Sequence, residues 1–230
     1  MVAALFLSHL VGDYILQWDS LARWKARELN GVLAHGAVVQ ATTLLFTLPF
    51  NPDWWPWALF VGVTHTLIDT VPLSIGKHVH PCLWFVLDQA AHFVIMVIAL
   101  TASGYLGAST LVSDLILALT SNRVWAFTLG YTFLTMPAWV TVEFVVYALV
   151  KGSGPDFTDV PNKYLGSLER GLITTLVLLG QFTLVPLVTV PRLVLDRPQA
   201  MNGPRATLYV AELLTSIGLA VMIGLGLRLL

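Results

Sequence analysis

The sequence predicts an all-α protein, a polytopic bundle of about seven transmembrane helices. Hydrophobic residues fill 57% of the 230 positions and charged residues only 11%. The mean hydropathy of +0.78 lies well above that of soluble domains. Apolar runs of about 20 residues, the length that crosses a bilayer, recur along the whole chain and are joined by short loops. A bilayer is therefore the expected solvent.

Seven apolar segments have the length of a spanning helix. They are residues 1–17, 31–50, 55–73, 82–102, 124–150, 168–191 and 207–228. The stretch 103–122 is apolar only at its centre, so it is an eighth span, a re-entrant hairpin or an interfacial helix. The number of membrane-spanning helices is therefore open between six and eight. No stretch between these segments is long enough to fold a soluble core, so we predict one membrane domain over residues 1–230.

Positive charges in the short loops orient the first four segments. Three basic residues lie in loop 18–30 and Lys77 lies in loop 74–81, whereas the Trp-rich loop 51–57 has none. By the positive-inside rule the two basic loops face the cytoplasm. The basic residues of the second half divide equally between the two faces and leave its topology open.

Charge and cysteine content exclude several classes of function. The formal net charge is -1, from 12 basic and 13 acidic residues, which provides no basic field for nucleic acid. The single cysteine, Cys82, excludes an intrachain disulfide and a multi-cysteine metal site. Membrane lipid is the expected partner, and the sequence indicates no particular protein partner.

Ionisable side chains inside the first four segments are the most informative feature. An Asp at the centre of a spanning helix costs roughly 2.5–3.5 kcal/mol, so such residues are candidates for function. Two His-x-x-x-Asp pairs, one Asp-Gln-x-x-His pair and a single histidine occur here, and each pair shares one helix face. The residues are His9, Asp13, His35, His65, Asp69, Asp88 and His92, accompanied by Gln17 and Gln89.

The depth of these residues predicts one shared site. Counted from the cytoplasmic helix ends at about 1.5 Å per residue, all seven lie within roughly 6–15 Å of the inner face. Imidazole and carboxylate are ligands for zinc, manganese or iron. We therefore predict a divalent metal held by the four histidines and three aspartates, with Asp13, Asp69 or Asp88 alternatively acting as general base. Gln17 and Gln89 are expected to orient ligands or bind substrate.

Three functions fit this pattern. The first is a metal-dependent hydrolase acting on a lipidic or membrane-associated substrate near the inner leaflet. The second is an ion- or proton-coupled or lipid transporter, in which the same residues relay protons or bind a cation. The third is an accessory subunit whose histidines pack or ligate a cofactor in a larger assembly.

Residues 103–230 offer less chemistry than residues 1–102, whose four helices carry the His/Asp site, and are expected to be a scaffold. Glu143 and Glu212 lie inside predicted spans. Each is a candidate either to complete the site or to pair with a buried donor, and the pairing is favoured. Arg170, at the predicted start of a helix, is expected to reach lipid headgroups or an acidic partner. Pro137 and Pro186 predict kinks within their spans.

The motifs resemble those of an uncharacterised bacterial family of multi-pass membrane proteins with a domain of unknown function. The resemblance rests on His9-Leu-Val-Gly-Asp13, Gln17, Lys25, His35, His65-Thr-Leu-Ile-Asp69 and Asp88-Gln89-Ala-Ala-His92. It extends to residues 162–173 and 211–218. It implies a cell membrane location, in the bacterial inner membrane, and a kinship with membrane-bound metal-dependent hydrolases. One departure is that Thr70-Val71-Pro72 stands where the family pattern has a lysine.

Overall fold

The computed structural model describes residues 1–74, 79–155, 157, 163–200 and 204–230, and within these ranges the regular structure is helical with no strand. The predicted all-α class is confirmed. The chain divides into two compact units, Met1–Leu129 and Gly130–Leu230. The assignment of residues 1–230 to a single membrane domain stays a prediction.

The first unit contains the helices that carry the polar motifs. Its elements are α1 (Val2–Leu10), continued by a π-helical turn (Val11–Ile15), α2 (Asp19–Lys25), α3 (Leu29–Thr47), a 3-10 turn (Pro52–Trp54), α4 (Trp55–Ser74), α5 (Pro81–Ala102), α6 (Leu111–Thr120) and most of α7 (Arg123–Phe133). Leu5, Ala58 and Leu100 are fully buried in its apolar core. Lys77 lies outside the described residues.

The second unit begins within the last turn of α7. It continues with α8 (Met136–Val150), α9 (Lys163–Leu178), a 3-10 turn (Phe182–Leu184), α10 (Val185–Ala200) and α11 (Pro204–Arg228). Ile173 and Val177 of α9 pack with Leu134 and with Ala220 of α11 to form its buried apolar cluster.

Within the described residues, three helices are long and apolar enough to cross a membrane. They are Leu29–Thr47, Pro81–Ala102 and Ala206–Arg228, and a fourth is added if α7 and α8 form one span. About seven spans are therefore not confirmed. The π turn ends the first helix at Ile15, and α6 has only 10 residues. Helix α4 is long enough, with 20 residues, but its His and Asp residues lower its mean hydropathy, so it is not one of the three.

Two predicted spans are interrupted. Residues 124–150 form α7 and α8, which meet at 49° just before Pro137, in agreement with the kink predicted there. Residues 168–191 are not one helix, because α9 ends at Leu178 and Gly180 has φ +73°. The amide of Gly180 donates to Val177 O at 3.0 Å and that of Gln181 to Leu176 O at 2.8 Å. This is a Schellman termination, for which glycine is the favoured residue.

Close packing of α3 against α4 depends on Gly36. A Cβ atom at Gly36 would overlap the side chain of Thr66, whose Oγ1, Cβ and Cγ2 atoms all lie against that position. The absence of a side chain lets the two helices approach closely, and the residues preceding each of these two, His35 and His65, come together at the same level.

Replacing Gly36 with alanine is expected to lower the stability of the first unit by about 1–3 kcal/mol, because the new methyl group overpacks the α3–α4 contact. Thermal unfolding of the detergent-solubilised protein measures the effect. Gly218→Ala is the matched control, since nothing lies within 4 Å of a Cβ there and alanine favours a helix over glycine. An equal change in Tm for the two variants would contradict the packing role of Gly36.

Candidate metal centre

A buried polar cluster lies where the helices of the first unit converge. Asp13 comes from the π turn that follows α1, His35 from α3, His65 and Asp69 from α4, and His92 from α5. All five are buried. A π turn inserts one extra residue into a helical turn and often occurs at functional sites, and here it carries the Asp13 carboxylate.

The Asp13 carboxylate contacts residues of four helices. His35 Nε2 lies 3.0 Å from its Oδ1 atom, at hydrogen-bonding distance. His65 Nε2 lies 3.8 Å and Lys25 Nζ 3.7 Å from the same oxygen. His9 Nε2 lies 3.9 Å from Oδ2. One carboxylate therefore joins α1, α2, α3 and α4.

The Asp69 carboxylate has a similar set of neighbours. Its Oδ2 atom lies 3.2 Å from His65 Nε2 and 3.5 Å from His35 Nε2, yet it accepts no hydrogen bond of good geometry. Its Oδ1 atom lies 2.9 Å from Lys25 Nζ and 3.9 Å from His92 Nε2. The two aspartates thus share His35, His65 and Lys25 as neighbours.

In the part of the chain that the structure describes, two groups of three residues have the composition and spacing of a metal site. Asp13, His35 and His65 form one, and His65, Asp69 and His92 form the other, with the ligand atoms of each group within 4.8 Å of one another. Atoms bound to one zinc at about 2.0–2.2 Å lie close together in this way. His65 belongs to both groups, so the cluster suits one ion or two neighbouring ions.

Unsatisfied nitrogen and oxygen atoms mark the same place. His92 Nδ1, His92 Nε2, His35 Nδ1 and Asp69 Oδ2 are buried without a hydrogen-bond partner. Buried polar atoms normally have a partner, and exceptions point to an ion or a water molecule. The residues present therefore fit a divalent metal, both in their chemistry and in their unmet bonding capacity.

The other predicted residues surround this cluster. The His9 ring centroid lies 5.7 Å from that of His65 and 5.4 Å from that of His92. Asp88 Oδ2 lies 3.6 Å from His92 Nδ1 and accepts a 3.0 Å hydrogen bond from Gln89. The i, i+4, i+8 spacing of His9, Asp13 and Gln17 predicts one helix face for all three. Gln17 instead follows the π turn and does not continue the helix, so the face does not extend to it. The structure brings every predicted site residue to the cluster or its edge.

Lys25 is the site residue that the sequence-based prediction missed. It ends the short surface helix α2, and its ammonium group contacts Asp13 and Asp69 and lies 3.5 Å from Gln17 Oε1. Burial alone would lower the pKa of Lys25, but the two carboxylates outweigh it and raise that pKa above its ordinary value. The sequence did contain a signal for this role, because Lys25 lies in the loop after the first helix and belongs to the series of motifs that resembles the family pattern.

A cavity of about 10 Å³ borders the histidines. Its lining includes Ser8, His9, Thr43, His65 and His92. This volume is near the minimum that holds one water molecule, and the lining supplies polar partners for it.

Arg170 in the second unit has a structural role. It is 2% exposed, so the expected contact with headgroups is wrong. Its guanidinium donates to Leu134 O at 2.7 Å and Thr135 O at 2.9 Å, the carbonyls at the break between α7 and α8. Glu143 accepts a 3.2 Å hydrogen bond from Trp139 Nε1, a half-buried donor one turn earlier in α8, so it pairs within its own helix.

The fold and the cluster together define a class: an α-helical protein with apolar helices able to span a membrane and a buried His/Asp centre able to hold a metal ion. The chain belongs to the family described as "Protein of unknown function (DUF3307)", whose model matches residues 1–119. The match contains the whole cluster and ends before residues 162–173 and 211–218. No curated protein and no solved structure matches the chain.

Proposed function

We propose that the protein is a multi-pass membrane metalloenzyme that binds a divalent ion, zinc, manganese or iron, at the His/Asp cluster and hydrolyses a lipidic or membrane-associated substrate. The observation that carries the proposal is the ligand group of His65, Asp69 and His92, in which two buried atoms, Asp69 Oδ2 and His92 Nε2, have no hydrogen-bond partner. Metal coordination would satisfy them in one step.

Charge balance supports the same proposal. Among the residues that the structure describes, one ammonium group, that of Lys25, contacts Asp13 and Asp69, and Asp88 is a third carboxylate, at the edge of the cluster beside His92. Carboxylates in a low-dielectric interior require compensating charge, and neutral imidazoles provide none. A divalent cation would supply compensating charge at the carboxylates.

The cluster also has the parts that hydrolysis requires. A bound divalent ion polarises substrate oxygens and lowers the pKa of water towards 7. The water-sized cavity beside His9, His65 and His92 offers a position for that water. Asp88, at the edge of the cluster beside His92, would accept a proton as general base.

An apolar groove supports a lipidic substrate. It has a volume of about 450 Å³ and is lined by Trp18, Leu21, Trp24, Ala34 and Val38, along the contact of α2 with α3. A groove of this size accommodates a drug-sized apolar ligand, such as part of an acyl chain. Trp18, which precedes α2, and Trp24 within it are both exposed, and exposed tryptophans are typical of the headgroup level of a bilayer. We propose accordingly that about seven segments cross the bacterial inner membrane, with the cluster near the inner leaflet.

Elemental analysis of the purified protein tests the proposal. We expect one or two zinc, manganese or iron ions per chain. We also expect hydrolysis products, detected by mass spectrometry, from vesicles of bacterial polar lipids, with activity lost after chelation and restored by the metal. A protein that purifies without metal and takes up none would refute the proposal; a bound metal without hydrolysis would retain the metal centre and remove the hydrolase assignment.

A relay of protons is the second candidate. The rings of His65 and His92 lie 4.1 Å apart between centroids, and His65 Nε2 lies 3.4 Å from His35 Nε2, so three imidazoles form a row able to pass protons. A proton flux in proteoliposomes that requires these histidines but no metal would favour this alternative.

A further inference from the structure

We infer that Lys25 is a tethered cation that competes with the metal ion for Asp13 and Asp69 and, once displaced, binds an anionic group of the substrate. This inference rests on the proposed metal centre and names the substrate class for it: a lipidic or membrane-associated molecule with an anionic group such as a phosphate ester.

The competition follows from the contacts of the ammonium group. Lys25 Nζ lies 2.9 Å from Asp69 Oδ1 and 3.7 Å from Asp13 Oδ1. Asp13 Oδ1 is also the oxygen nearest His35 Nε2, and both carboxylates belong to the metal-binding groups. The ammonium group therefore occupies carboxylate positions that a metal would use, and it repels a second cation there.

Helix α2, which lies at the surface, holds the backbone of Lys25 in place while its side chain reaches inward to the two carboxylates. Helix α2 ends at Lys25, and its last residues pack on Gly31 so closely that a Cβ atom there would overlap the backbone of Trp24 and Lys25. The side chain is 19% exposed, so it connects the surface with the buried carboxylates. A long flexible stem allows the ammonium to move while its backbone stays fixed.

Displacement gives the ammonium its second role. A metal that takes the Asp13 and Asp69 oxygens leaves Lys25 without its carboxylate partners in a mostly buried place, which is unfavourable until another anion pairs with it. An anionic group on the substrate meets this need beside the metal. Arg23 and Arg27, exposed near the end of α2, add positive charge on the side from which Lys25 enters.

Metal titration of Lys25→Met tests the competition. We expect it to bind Mn²⁺ or Zn²⁺ at least about tenfold more tightly than the wild type, because the competing charge is gone. Lys25→Arg keeps the charge and is expected to remain close to the wild type. An unchanged or weaker affinity in Lys25→Met would overturn the inference.

Methyl phosphate serves as the probe for the anion. In the wild type it is expected to tighten metal binding by about tenfold, since metal and anion favour the same displaced state of Lys25. In Lys25→Met this gain should be mostly lost; an equal gain in both proteins would overturn the anion role. The metal content of the wild type distinguishes failure of this inference from failure of the proposed function, because a wild type without metal refutes the proposed function itself.

Discussion

Replacing His65 with alanine is expected to lower metal affinity at least about 100-fold, since His65 is the one residue common to both groups of three ligands. Loss of a residue that merely orients a ligand typically costs 10–100-fold in affinity, and removal of a shared ligand should exceed that range. Metal content after dialysis, measured by elemental analysis, checks the prediction.

His80→Ala is the matched control, because His80 precedes α5 and is exposed. It should retain the full metal content. Asp69→Asn provides a second, isosteric test, which removes a ligand charge while preserving the volume of the side chain. Full metal content in both His65→Ala and Asp69→Asn, with Tm retained, would exclude the cluster as the metal centre.

Replacing Arg170 with methionine is expected to destabilise the second unit by about 3–5 kcal/mol. The guanidinium donates to two carbonyls at the α7–α8 break and to the hydroxyls of Ser167 and Ser216 at 3.2 and 3.3 Å. Methionine has similar length but no donor, so the buried carbonyl oxygens lose their partner, and the unmet groups account for the size of the effect. Thermal unfolding in detergent measures it.

A graded control accompanies this variant. Ser216→Ala removes only one acceptor of Arg170 and should cost about 1 kcal/mol. The metal content of the Arg170→Met protein, where it remains folded, should equal that of the wild type, because the cluster lies wholly in the first unit. A Tm unchanged by Arg170→Met would show that the break between α7 and α8 needs no side-chain donor.

The positions of helix ends show where sequence patterns are insufficient. Hydropathy predicts a continuous apolar segment over 168–191, but Gly180 with its positive φ ends α9. Hydropathy averages over a window and takes no account of the backbone conformation of one residue. Hydropathy does not detect the π turn at Val11–Ile15 either, because a π turn and an α turn need the same apolar content.

The sequence by itself determined the all-α class and the contacts within each helix. His65 and Asp69, and likewise Asp88 and His92, stand four residues apart and meet at 3.2 and 3.6 Å, since a helix turns every 3.6 residues. The metal-ligand character of the set also follows from residue type. These inferences need only local geometry and composition.

Only the tertiary structure decided which residues meet across helices. The contact of His35 with Asp13 depends on the register of α3 against the π turn, and that of His35 with His65 on the close approach of α3 and α4 at Gly36. The entry of Lys25 from a surface helix depends on the packing of α2 over Gly31. Register and approach are set by side-chain shape over many residues, and no local spacing in the sequence encodes them.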